Sequence, residues 1–210
     1  MKIVNIPRPT PAIIKYYLEK WDKNKKYVLP EKSLKLLFQE AYPENKKIEH
    51  ILIKVSCLND FFNTHILSSF IMGEHILKQK IDKYLKIGND EVVNKISKVK
   101  MPKGKIINFY SFASKYCSHH YPERYPIYDY YVERMLIHFK RQEKFYKFKR
   151  ENLRDYPKFR KILEEFREFF GLSEYSLKDI DKYLWQAGKQ FFPRNYKKQA
   201  RLKISTSKNI

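Results

Sequence analysis

Residues 106–136 read IINFYSFASKYCSHHYPERYPIYDYYVERML, and this stretch decides the fold. On a helical wheel of about 100° per residue, Ile106, Phe109, Tyr110, Phe112, Ala113, Tyr116 and Cys117 fill one broad apolar arc. Asn108, Ser111, Lys115 and His119 share the other side. The spacing predicts a helix over about 106–119. Pro122 and Pro126 then hold residues 121–126 out of helix. Asp129 opens a second helix that runs to about Arg141, as an acid in a first helical turn commonly does. Two helices joined by a proline-stiffened loop set the pattern for the whole chain.

Working outward, the same 3.6-residue period recurs on both sides. Ile13, Ile14, Tyr17, Leu18 and Trp21 mark a helix over about 11–24. Pro30 suits the first turn of the next helix. Asn45 or Lys46 opens a longer one, striped by Ile48, Ile51, Leu52, Val55 and Leu58. Residues 66–85 continue helical with a break expected near Gly73. Gly88-Asn89-Asp90 ends that run and caps a short helix over about 91–98. Gly171 ends a charged amphipathic helix over 157–170, and Ser176 caps the last helix, which carries Ile180, Leu184 and Trp185. No internal repeat and no period-2 strand is evident. The fold class expected is all-α, with residues 1–193 as one helical domain and residues 194–210 as a basic tail.

The 210 residues carry 44 Lys+Arg against 23 Asp+Glu, a net charge of +21. Such an excess points to a polyanionic partner; the plainer reading is a lysine-rich composition with solvated lysines. The basic connection at 140–150 and the tail after Arg194 suit contacts to phosphate, or are simply solvated loops. Gly is only 5, which disfavours glycine-rich nucleotide folds. Two cysteines, Cys57 and Cys117, are too few for a zinc cage or an iron–sulfur site, and Cys117 falls in the apolar arc as a small core residue. His119-His120 lacks a further ligand at helical spacing, so no metal and no cofactor is expected; a helix-terminal pair complementing the dipole is the reading preferred. No signal-peptide core opens the chain and no apolar run reaches a membrane-spanning length. The expectation is a cytoplasmic, nucleoid-associated protein without a membrane partner.

Lys115 lies about 60° beyond Phe112, at the edge of the apolar arc. By composition alone a solvated surface lysine is the commoner reading. The alternative is a lysine facing a cleft, its ammonium partly desolvated. The proline loop folds the chain back and can bring Asp129 near Lys115. A lysine and an aspartate in one cleft make a nucleophile and its electrostatic or general-base partner.

The segment FYSFASKYCSHHYPERYPIYDYYVERML resembles the catalytic segment of helix-hairpin-helix DNA glycosylases, nearest the 8-oxoguanine DNA glycosylase-like branch. Ser114-Lys115 is similar to its Thr/Ser-Lys dipeptide, and Pro126, Asp129 and Val132 to its second half. Residues 58–66 (LNDFFNTHI) resemble the helix junction that lines the base pocket and duplex surface in that group. Residues 181–189 (DKYLWQAGK) resemble the closing helix of related bacterial proteins. The resemblance touches about half the chain, in patches. It implies a two-lobed helical fold that binds double-stranded DNA and flips a base out of the stack. Lys115 would attack C1′ and form a Schiff base, with β-elimination able to follow, and Asp129 would stabilise the sugar cation or help deprotonate the lysine. Asn59, Asn63, Lys103, Gly104, Lys105 and Arg124 become DNA-contact candidates. Phe61, Phe62, Tyr110 and Tyr128 become base-pocket candidates, with core packing the ordinary alternative for each.

One departure stands out. The family hairpin carries Gly-x-Gly, whereas Met101-Pro102-Lys103-Gly104-Lys105 holds one glycine, so charge from Lys103 and Lys105 would replace amide contacts to phosphate. Lys105 is the rival nucleophile to Lys115. The reading from this resemblance is a base-excising enzyme of DNA repair or of defence against modified phage DNA. Its rival is a DNA-binding helical module that kept the fold without the chemistry. A helical nuclease would need clustered carboxylates for metal, and no such cluster is present at convincing spacing.

Overall fold

The computed structural model describes residues 5–193; the tail at 194–210 lies outside the described residues. Ten α-helices and one two-stranded ribbon make up the regular structure described, so the chain is predominantly helical. Thr10 caps α1 (Pro11–Asp22) through Oγ1, with Pro11 at the first helical position. Asn24 caps α2 (Lys25–Lys35), which continues as a π-helical turn to Ala41. Pro30 is therefore not at a helix start but inside α2, where it has no N–H to give the Lys26 carbonyl.

The helix α3 (Ile48–Phe62) ends at Asn63, which takes the left-handed conformation. The expected break near Gly73 is not there. Gly73 lies inside α4 (Ser69–Gln79), packed against Leu52, and the chain turns instead at left-handed Lys80 before α5 (Asp82–Ile87). A glycine used for close packing and one used to end a helix look alike in sequence. α6 (Glu91–Ser97) follows.

Residues 98–108 form a β-hairpin, which the sequence pattern did not predict. β1 (Lys98–Lys100) pairs antiparallel with β2 (Ile106–Asn108). The helix expected from Ile106 thus begins only at Tyr110, as α7 (Tyr110–His120). Three-residue strands are too short to show alternation, and Ile106 and Ile107 extended a helical stripe by coincidence.

α7 is the central element. It packs on α3 and α6, and every residue from Phe112 to His120 is buried. Its polar side therefore meets protein or an internal cavity rather than bulk water. α8 (Tyr130–Glu143) is capped by Asp129, and α9 (Tyr156–Phe169) by Asp155. α10 (Leu177–Phe191) starts with a capping box of Ser176 and Asp179 and closes the structure against α1, α8 and α9. The α8–α10 approach is so close that a Cβ on Gly188 would lie 2.8 Å from the Tyr131 carbonyl oxygen. That contact fixes the start of α8, and so Asp129, against α10. One continuous apolar core runs through all these helices.

Candidate functional site

A single hydroxyl fixes the turn that matters. Ser114 Oγ accepts the backbone N–H of Tyr128 at 3.1 Å and lies within reach of the Tyr128 carbonyl at 3.3 Å. Tyr156 Oη donates to the Pro126 carbonyl at 2.7 Å, and buried Tyr125 anchors the loop against the α5 carbonyls of Tyr84 and Leu85. The loop is thereby laid along α7. Ser114 and Lys115 are placed beside Tyr128 and Asp129.

Lys115 and Asp129 line the same cavity, of about 240 Å³. Lys115 is buried at 6% exposure. Its Nζ donates to Ser111 Oγ at 2.6 Å and stands 6.0 Å from the centre of the Phe62 ring. Asp129 is half-buried, and its Oδ1 accepts the N–H groups of Tyr131 at 2.8 Å and Val132 at 3.0 Å. Donors at a helix N-terminus suit a carboxylate.

Aromatic rings form the rest of the wall. Trp21, Tyr27 and Trp185 make a mutual cluster with centroids 5.1 to 5.7 Å apart, and Phe61 and Phe62 face it across the cavity. The interrupted turn of α2 supplies Pro30 and Glu31. α10 supplies Lys178, Asp181, Lys182, Trp185 and Lys189, at one helical face. Glu31 holds Lys182 at 3.2 Å and Lys178 at 3.7 Å, and accepts from Trp21 Nε1 at 3.0 Å. Burial opposes ionisation of Glu31, but Lys178 and Lys182 together hold its carboxyl below the usual range.

Asp181 is the cavity's third acid, beside Asp129 and Glu31. It is 4% exposed, its Oδ1 has no hydrogen-bond partner, and Lys178 Nζ stands 3.9 Å from Oδ2. Burial pushes this carboxyl up to about 7, with Asp129 adding repulsion, against the attraction of Lys178 and Lys115. His119, also on this wall, is 6% exposed and its Nε2 lacks a partner. Burial, with the nearby Lys178 and Lys115, lowers its pKa well below the usual range, so the ring is neutral. It does not serve as a charged helix-end residue.

Lys115 and Asp129 also edge a second, more open depression of about 630 Å³, rimmed by exposed Arg150 and Arg154. Asn63 and Tyr128 line this one, and Phe61 and Phe62 are shared by both. Tyr128 Oη donates to buried Glu133, which Arg150 also holds.

Several expected site residues lie elsewhere. Tyr110 is a core residue, 4.7 Å from the Tyr128 ring and lining neither depression; its burial follows from α7 being covered on all sides. Asn59 caps locally, its Oδ1 accepting from Thr64 Oγ1 at 2.8 Å and Ile66 N at 2.9 Å. Arg124 reaches over the Tyr121 ring to the Lys86 carbonyl, away from the cleft. Lys103 and Lys105 are exposed in the hairpin turn, and Lys105 lines neither depression. The Gly104 amide is spent within that turn, donating to the Met101 carbonyl at 2.9 Å, with φ at +79°. Trp185, read as core, is a wall residue. Cys117 is fully buried, as expected. Asp181, Lys178, Glu31, Trp21 and Tyr27 were missed. The helical spacing of Lys178, Asp181, Lys182, Trp185 and Lys189 was the available signal.

Among the described residues, no three His, Cys, Asp or Glu side chains gather into a metal-binding group, and no helix is long and apolar enough to cross a membrane.

A cleft that brings several lysines, three carboxyls and an aromatic wall together on a helical scaffold defines this protein by its site. Comparison with known proteins places the scaffold. The family model described as HI_0787_N, N-terminal domain, matches residues 13–124. An "uncharacterized protein" of Haemophilus influenzae is 42% identical over 149 residues, covering 70% of this chain and 71% of its own. The chain belongs to this family. No solved structure matches it. The family model spans α1 to the loop after α7 and so includes Lys115, while Asp129 and Asp181 lie beyond its end.

Proposed function

We propose that the protein is a DNA glycosylase of the helix-hairpin-helix kind, acting on a base flipped out of duplex DNA. One observation carries this reading: Lys115 and Asp129 line one aromatic-walled cavity, fourteen residues apart in the sequence. A flipped base needs π-faces to stack on and exclusion of water, and Trp21, Tyr27, Trp185 and Phe62 supply both. Lys115 Nζ attacks C1′ of the nucleotide, and Asp129 stabilises the positive charge that develops on the sugar. The resulting Schiff base permits β-elimination, the AP-lyase step. Arg150 and Arg154 rim the open depression at the same two residues, where phosphates of the strand would pass. The net charge of +21 suits a polyanionic duplex.

Borohydride trapping on duplexes bearing oxidised, deaminated, alkylated, hypermodified or abasic sites tests this reading. A covalent adduct is expected on at least one duplex. Lys115→Ala is expected to abolish it while leaving duplex binding nearly intact. Absence of both adduct and base release across the panel overturns the proposal.

The second reading is a DNA-binding module without chemistry. It is favoured by the hairpin between α6 and α7, a β-ribbon whose single glycine amide is already engaged. Tight, salt-sensitive binding with no base release is its signature.

A further inference from the structure

The proposed chemistry leaves the buried Asp181 of the cleft without a task. Lys115 must lose a proton before its Nζ can attack carbon, and the departing base must gain one. Asp129 caps α8, its Oδ1 accepting two backbone N–H groups, and is already assigned to the sugar. Asp181 is placed differently. It lines the same cavity, is buried, takes a backbone hydrogen bond from Ile127, and keeps Oδ1 without a hydrogen-bond partner. It interacts electrostatically with both Lys115 and Asp129.

We propose that Asp181 is a second catalytic carboxyl of this cleft, which takes the proton from Lys115 and passes it to the departing base. This rests on the glycosylase reading. The Asp181 carboxylate accepts one proton from the Lys115 ammonium. The neutral Nζ forms its bond to C1′ as the bond between C1′ and the base nitrogen breaks. That electron pair leaves with the base, which takes up the proton held on Asp181. Asp181 returns to carboxylate, and the positive charge rests on the Nζ now bonded to C1′. Asp129 faces the sugar throughout.

The surroundings fit a group that must both accept and release a proton near neutrality. Burial raises the Asp181 carboxyl to about 7, close to the optimum for such transfer. The charged and titratable groups around it are Lys178 on its own helix, Lys115 and His119 on α7, Asp129 at the start of α8, and Tyr156 on α9. Glu31 on α2 reaches it only through Lys178. Neutral His119 adds no charge. Two carboxyls with contrasting environments divide the work, one bonded to backbone donors at a helix start and one buried with an unpartnered oxygen.

The test is single-turnover base release, followed across the neutral pH range, on a duplex that the wild type cleaves. In the wild type the rate is expected to rise with pH through about 7, as Asp181 becomes the carboxylate. Asp181→Asn is expected to slow release by roughly 100-fold or more and to lose that rise, with duplex affinity nearly unchanged. Asp181→Glu keeps a carboxyl and is expected to retain the rise at a reduced rate. An Asn variant that keeps the wild-type rate or the pH-dependent rise overturns this inference and leaves the glycosylase reading standing. A wild type that releases no base from any duplex overturns that reading itself, and this inference with it.

Discussion

Asp181→Asn carries a stability consequence that is independent of any substrate. An aspartate that titrates at 3.8 when unfolded and at about 7 when folded binds a proton more tightly in the native state. Between those values the folded protein holds a proton that the unfolded chain has lost. Stability therefore falls as pH rises from about 4 to about 7 and is level on either side. The difference corresponds to on the order of 4 kcal/mol at and above neutral pH. Asparagine has nearly the same shape and no charge to desolvate. The variant should match the wild type near pH 4 and become progressively more stable towards pH 7. With roughly 2–4 °C per kcal/mol for a chain of this size, the melting temperature should rise by about 10 °C at neutral pH. The assay is thermal or urea unfolding of both proteins at matched pH values, read as a difference. The buried histidines, which weaken the fold in acid, are common to both and cancel. A difference that is flat with pH, or that grows towards acid, refutes the claim that burial dominates the Asp181 environment.

Three further outcomes follow from packing and hydrogen bonding. Lys54→Met should lower stability by about 3 kcal/mol, measured by urea unfolding. It removes the donor to the Tyr42 and Glu44 carbonyls and to Asn45 Oδ1, at 3.0, 3.0 and 2.7 Å, and strands the two carbonyls. Gly188→Ala should cost roughly 1–3 kcal/mol, because its Cβ meets Tyr131 at 2.8 Å, and the same variant should slow base release by shifting Asp129 relative to α10. Ser114→Ala frees the Tyr128 N–H from its clamp and should slow trapping more than it weakens duplex binding, both read on one abasic duplex.

Local signals carried the helices and failed where a partner was distant. Asp129 was legible as a helix opener because capping is decided within three residues. Its meeting with Lys115 depends on the Ser114 hydroxyl finding the Tyr128 amide, and only the proline loop between them hinted at that. Phe62 and Tyr110 read alike, as aromatics near chemistry. Phe62 faces the cavity and Tyr110 is sealed in the core, because α6 and α9 cover that side of α7. Asp181 joins the cleft across some fifty residues of intervening chain, through the contact of α10 with α8. No periodicity in α7 could have announced it. The ribbon at 98–108 was missed for the opposite reason, since its strands are too short to leave a pattern.

Among the described residues Lys54, Lys115 and Lys178 are buried, and Lys54 and Lys115 differ in what surrounds them. A chain with 44 cationic side chains can keep them in water at no cost, so burial of any one calls for a reason. Lys54 is fully enclosed, bonded to three acceptors in residues 42–45 and set over the Phe38 and Tyr116 rings. It lines neither depression, and its burial is accounted for by the chain segments it ties together. Lys115 stands at the meeting of both depressions, with one acid bonded to helix-terminal amides and another whose carboxyl burial pushes up to about 7. A fold optimised for stability alone would replace Asp181 by an uncharged residue and lose nothing in packing. Under the proposed mechanism a carboxyl there, beside a lysine and against an aromatic wall, serves proton transfer, for which passive binding of a polyanion would have no use.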